Sequence, residues 1–169
     1  MDLDKVIAKL NTEVQKIEGR TLKGLIRAAV IVRRDMDKVS PKIPVYFNNL
    51  RSSFYMVTSE GKVEQGLTPI FKRESGRKKD KRKLSAKAYN KLIQDHPRAI
   101  NKAVTSSGPV KDGPYVIMGF SAFYSIYVHE MPVSYTFNRK GSGPKFLENA
   151  LDRNILEILY KVAKEVKIR

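Results

Sequence analysis

The chain has 169 residues, 41% of them hydrophobic, which suits one domain with a core of its own. It has no cysteine and two histidines, His96 and His129, which excludes disulfides, thiolate metal sites, a cysteine nucleophile and a multi-histidine zinc site within one subunit. A formal net charge of +16 attracts phosphates, anionic lipids or an acidic protein surface, and speaks to association rather than to fold.

In chain order, Leu3, Ile7, Leu10, Val14 and Ile17 recur at three- and four-residue steps, the spacing of one helical face. The rhythm resumes after Gly19 with Leu22, Leu25, Ile26, Ala29, Val32, Met36 and Val39. Glycine costs about 1 kcal/mol inside a helix, so a bend or short break is expected there, with Thr21 capping the second piece. Pro41 and Pro44 end the helix.

Asn48-Asn49 reads as a turn, because asparagine tolerates positive φ, and residues 54–58 (FYMVT) read as a strand. Residues 62–71 are weakly extended. Residues 72–83, KRESGRKKDKRK, carry eight basic and two acidic side chains and nothing apolar, so a solvated loop is expected. Residues 85–106 turn helical, and Pro97 predicts two short helices rather than one.

Two runs of strand length follow, residues 115–120 (YVIMGF) and 124–129 (YSIYVH). Gly141-Ser142-Gly143-Pro144 reads as a flexible loop with its proline at the first position of a closing helix. That helix carries Phe146, Leu147, Ala150, Leu151, Ile155, Ile158, Leu159, Val162, Ala163 and Val166 as one broad apolar stripe. Leu147, Leu151, Ile155, Ile158 and Val162 are its core or interface positions, and Leu151→Asp is expected to abolish soluble protein. The fold class is α+β: a small antiparallel sheet, with strands near 54–58, 115–120 and 124–129, packed by long N- and C-terminal helices.

Nothing here assembles into catalysis. His129-Glu130 begins like a zinc-protease helix, but no histidine stands four residues after His129 and Pro132 breaks the helix such a site needs. Gly141-Ser142-Gly143-Pro144-Lys145 lacks the spacing of a phosphate loop. The carboxylates are scattered among lysines instead of paired. No cofactor and no enzymatic activity are expected. No apolar run is long enough for a membrane, and the start, Met1-Asp2-Leu3-Asp4-Lys5, has acids where a signal peptide has basic residues, so a cytoplasmic site of synthesis and assembly is expected.

Three segments in order, PVYFNNLRSSF at 44–54, YSIYVHE at 124–130 and GPKFLENAL at 143–151, follow a long N-terminal helix. This series resembles the minor-capsid or tail-completion (head–tail joining) proteins of tailed bacteriophages. Pro44, Leu50, Arg51 and Ser53 fall on that family's P-x-D-T-G-x-L-R-x-S pattern. Tyr124, Tyr127 and Glu130 fall on a second, of two tyrosines and a glutamate, and Lys145, Phe146, Leu147 and Ala150 on K-F-L-x-x-A. Tyr46-Phe47-Asn48 stands where the family has Asp-Thr-Gly, and Asn48 is able to take the glycine's left-handed conformation.

The resemblance implies a single tail-completion-like domain over residues 1–169 with an insertion at about 62–113. It also implies a structural virion protein at the neck, in a homo-oligomeric ring of six-fold or, less expectedly, twelve-fold symmetry. The ring would join a head-side connector or adaptor to the tail terminator or tail tube, around genomic DNA, with no membrane involved. Arg51 in the turn and Glu130 at a strand end are expected at the sheet rim. Lys72, Arg73, Arg77, Lys78, Lys79, Lys81, Arg82 and Lys83 are expected to face either a neighbouring subunit or the DNA. The alternative is a free basic nucleic-acid-binding protein, which has the charge but no recognisable binding motif.

Overall fold

The computed structural model describes residues 3–61, 69–74, 82–106 and 113–167. Helix α1 (Leu3–Lys38) is followed by the short α2 (Asn49–Ser52), strand β1 (Phe54–Thr58), α3 (Ala86–Ser106), β2 (Val116–Phe120), the short α4 (Ser125–His129) and α5 (Phe146–Val166). The architecture is α+β, a two-stranded antiparallel sheet with the long terminal helices packed on each other and against it.

Helix α1 runs through Gly19 without interruption. The Thr21 hydroxyl donates back to the Ile17 carbonyl at 2.8 Å, so it serves the interior of a continuous helix and caps nothing. The roughly 1 kcal/mol glycine penalty is outweighed by packing further along. Leu22, Ala28, Ala29, Val32 and Met36 are all buried on one face of the body-side half.

Helix α5 lies antiparallel against α1. Gly24 lets the helices close, since a Cβ there would sit 3.0 Å from the Val162 Cα. Arg20 donates to the Lys167 carbonyl, and the Arg27–Glu165 and Arg153–Asp35 ion pairs tie the edges. Burial works against the charge of Asp35, but hydrogen bonds from Arg153 and Asn154 outweigh it and hold the carboxyl below its ordinary value.

The strands pair from Phe54↔Phe120 to Thr58↔Val116. Gly119, opposite Tyr55, leaves room for the tyrosine ring; a Cβ there would meet the Tyr55 Oη at 2.9 Å. Val32, Met36, Ile43, Leu50, Leu92, Ala122, Phe146 and Ala150 form the main core, and Val57, Ile100 and Ala103 a second cluster between β1 and α3. Helix α3 is a single helix with Pro97 inside it. It supplies Leu92, Ile100 and Ala103, and packing of that face carries it past the one hydrogen bond that proline removes.

Three further expectations are corrected. Residues 124–129 are not a third strand: residues 125–129 form α4, opened by a Ser125 N–H bond to the Ala122 carbonyl. Pro144 is not in the last helix, whose N-cap is Lys145 in the left-handed conformation at φ 54°. The apolar stripe of α5 is wider than its buried face. Phe146 and Ala150 are buried, and Leu147, Ile158 and Val162 half-buried, whereas Leu151 and Ile155 face out of the chain.

Candidate assembly surfaces

The turn that carries Arg51 is built from the backbone up. Asn48 takes the left-handed conformation at φ 68°, as expected of an asparagine in the glycine position, and opens α2. The buried Ser53 closes it, its hydroxyl donating to the Leu50 carbonyl at 2.8 Å. The Ser121 N–H bonds the Ser53 carbonyl at 2.9 Å, which joins the turn to the end of β2. His96 Nδ1 lies 2.7 Å from the Ser121 Oγ, both side chains buried, and burial pushes the histidine pKa down. The pair joins α3 to the end of β2 and satisfies polar atoms inside the core.

Arg51 reaches from α2 to α1 and grips Asp37 with both ends of its guanidinium, Nε–Oδ1 at 2.9 Å and Nη2–Oδ2 at 3.0 Å. Arg33 adds a third contact to the same carboxylate at 2.8 Å while lying over the Phe54 ring. Arg51 is therefore a rivet between α2 and α1, hydrogen-bonded through Nη2 and in ion-pair range through Nε, its outer side still exposed. Glu130 caps α4 instead of ending a strand. It pairs with Lys145 and with His129 Nδ1, and those bonds hold its carboxyl below the ordinary value and raise the Lys145 ammonium. Both expected rim residues thus hold neighbouring elements together.

Of the basic run, Lys72, Arg73, Arg82 and Lys83 are described and all four are exposed, whereas Arg77, Lys78, Lys79 and Lys81 lie outside the described residues. The run's two ends are not free-standing. The buried Asn49 donates its amide to the Lys72 carbonyl at 2.8 Å and accepts the Lys72 N–H at 2.7 Å, imitating one rung of a sheet. Leu84 N–H bonds the Arg73 carbonyl at 2.8 Å, Glu74 bridges to Lys83, and the Arg82 guanidinium lies 4.6 Å from the centre of the Tyr46 ring. Phe71 and Leu84 pack on the core at either side, so the two described ends of the run meet in a closed stem.

A cleft of about 400 Å3 opens beside that stem, lined among others by Tyr46, Phe47, Arg82, Tyr124, Tyr135 and Phe137. Burial pushes the Tyr124 hydroxyl up to about 12, so it stays a neutral donor. Among the described residues no group of three His, Asp or Glu side chains is placed to hold a metal ion, and no helix is long and apolar enough to cross a membrane.

Two exposed apolar surfaces remain, on helices whose apolar faces the sequence shows without saying whether core or interface covers them. The outer face of α5 carries Leu151, Ile155, Leu156, Leu159 and Tyr160, between 42% and 79% exposed. The described side chains from Asp4 to Lys16 of α1 are likewise all exposed, Ile7, Leu10 and Val14 among them. Because Arg20 already meets the last residues of α5, that part of α1 extends past the end of its partner helix. The 3.6-residue rhythm was visible for both; what it faces was not. In comparisons with known proteins, no family model matches the chain, and neither does any curated protein or solved structure.

Proposed function

We propose that the chain is a structural subunit of a tailed-phage neck. It forms a ring between the head-side connector and the tail, surrounds the DNA channel, and acts by assembly rather than by catalysis. One observation carries this reading: the apolar outer face of α5, too large and too continuous a ridge to be a scatter of single exposed residues. A ridge of that kind needs a protein partner. The ordered resemblance of residues 44–54, 124–130 and 143–151 to the tail-completion family supplies the context, and Asn48 in the left-handed conformation is compatible with its turn. The basic run, whose two described ends are held in a closed stem, then meets a neighbouring subunit. DNA must slide through a neck, and a strongly adhesive lumen would slow it.

Phage made without this protein should accumulate filled heads and separate tails, or heads that lose their DNA. Normal joined particles would overturn the reading. The net charge of +16 favours a second reading, a free nucleic-acid-binding protein. That one predicts duplex binding by the purified chain with a steep fall as salt rises, and no defect in particle joining.

A further inference from the structure

The N-terminal part of α1, residues 3–18, leaves the body where Glu18, Gly19 and Leu22 face Ser59, Glu60, Gly113 and Pro114 at the end of the sheet. Its apolar stripe is the buried face of α1 carried on past the body. Leu25, Val32 and Met36 stand eighteen, twenty-five and twenty-nine residues beyond Ile7, whole numbers of turns to within a few tens of degrees. In the body that face lies on α5 and the sheet; in the arm no other described element covers it, and Ile7, Leu10 and Val14 are 47%, 60% and 51% exposed. A short helical extension without tertiary contacts is marginal in water, so an arm with such a stripe is built to be covered.

We propose that the α1 arm of one chain docks along the outer face of α5 of a second copy, Ile7, Leu10 and Val14 meeting Leu151, Ile155 and Leu159, so that copies join head to tail. This deepens the ring reading by naming the seam. The arm does not reach its own ridge, because α1 is one continuous helix running away from α5 beyond Arg20. The stripes match in length, seven residue steps from Ile7 to Val14 and eight from Leu151 to Leu159, about 10 and 12 Å of helix.

Charge favours a second copy at this place. The arm balances Asp4, Glu13 and Glu18 against Lys5, Lys9 and Lys16, and the first four turns of α5 set Glu148, Asp152 and Glu157 against Arg153. On a chain of net +16 these are segments where like copies repel least. Area argues for a closed set over an isolated pair. An arm of about 22 Å by half the girth of a helix covers about 400 Å2 per partner, roughly half of a standard interface side. Each chain gives one arm and receives one, so a closed head-to-tail set holds every copy at two such seams, whereas an arm-to-arm dimer leaves the α5 ridge bare.

The chain has no cysteine, which makes thiol cross-linking clean. Leu10→Cys and Leu156→Cys chains, mixed at about 0.1 mM to populate a weak contact and treated with a short bis-maleimide, should give a cross-linked dimer joining one of each. A chain carrying both substitutions should give a ladder of higher species. Leu10→Cys alone, or mixed with Lys87→Cys on the exposed side of α3, should give little. Efficient coupling of Leu10→Cys to itself would overturn the seam in favour of arm-to-arm pairing. A Lys87→Cys yield equal to that of Leu156→Cys, or no product at all, would overturn it as well. The neck reading rests on particles made without the protein, so either idea can fail while the other stands.

Discussion

Gly24 of α1 and Val162 of α5 meet so closely that a Cβ on the glycine would lie 3.0 Å from the valine Cα. A Cβ added at Gly19, five residues earlier, would meet nothing within 4 Å beyond its own helix. Two glycines in one helix thus do opposite things. Gly24→Leu forces the terminal helices apart and should cost about 1–3 kcal/mol. Gly19→Ala should add about 1 kcal/mol by helix propensity alone. Thermal denaturation of the two variants checks the pair, at about 2–4 °C per kcal/mol for a chain of this size. Equal behaviour would mean that the helices do not touch at Gly24.

Asn49 is the second point of leverage. Asn49→Ala removes both hydrogen bonds to the Lys72 backbone and should cost about 1–2 kcal/mol. Asn49→Asp keeps the acceptor but sets a carboxylate oxygen against the Lys72 carbonyl at a site only 1% exposed, so it should cost more than alanine. Urea midpoints give the order. Trypsin cleavage after Lys72 and Arg73 should accelerate in the same order as the stem opens.

Acid should loosen the core through His96. Burial lowers its pKa below the ordinary 6.5, so the unfolded chain binds the proton more readily than the folded one. The stability it contributes is complete above about pH 6.5 and is lost as pH falls below that value toward the depressed folded pKa. The urea midpoint of the natural chain should therefore drop as pH falls below about 6.5, the ordinary histidine value. His96→Gln should flatten that slope. An unchanged slope in the variant would assign the loss to other groups.

Leu151→Asp and Ala150→Asp, neighbours on α5, should separate assembly from folding. Leu151 is 42% exposed, so its replacement should cost the isolated chain about 1 kcal/mol or less and leave it soluble, reversing the expectation from sequence. Ala150 is fully buried, and a carboxylate there should cost several kcal/mol and unfold the chain. Far-ultraviolet circular dichroism checks both, and Leu151→Asp should additionally weaken arm-to-ridge cross-linking.

The long terminal helices and the β1–β2 strands were legible because their periodicities run over many residues or sit between clear turn signals. The failures have physical causes. Tyr124-Ser125-Ile126-Tyr127-Val128-His129 is rich in strand-forming side chains, yet the Ala122–Ser125 turn and the Glu130–Lys145 pair hold it as a helical turn. Gly19 and Pro97 carry local costs of a few kcal/mol at most, which tertiary packing overrides. On α5 apolar residues occupy well over half the circumference, so the rhythm marks a helix without saying which side is inside. Asn49 has no sequence signature at all: an asparagine in a turn looks the same whether its amide meets water or the Lys72 backbone.

The stem at Arg73–Leu84 and Glu74–Lys83 brings the chain back to the place it left. Leu84 N–H on the Arg73 carbonyl and the Glu74–Lys83 bridge hold those two ends side by side. Ends fastened in this way stay neighbours even if the chain between them is cut. A protein nicked once there should therefore keep its stem and run as a single piece until it is denatured.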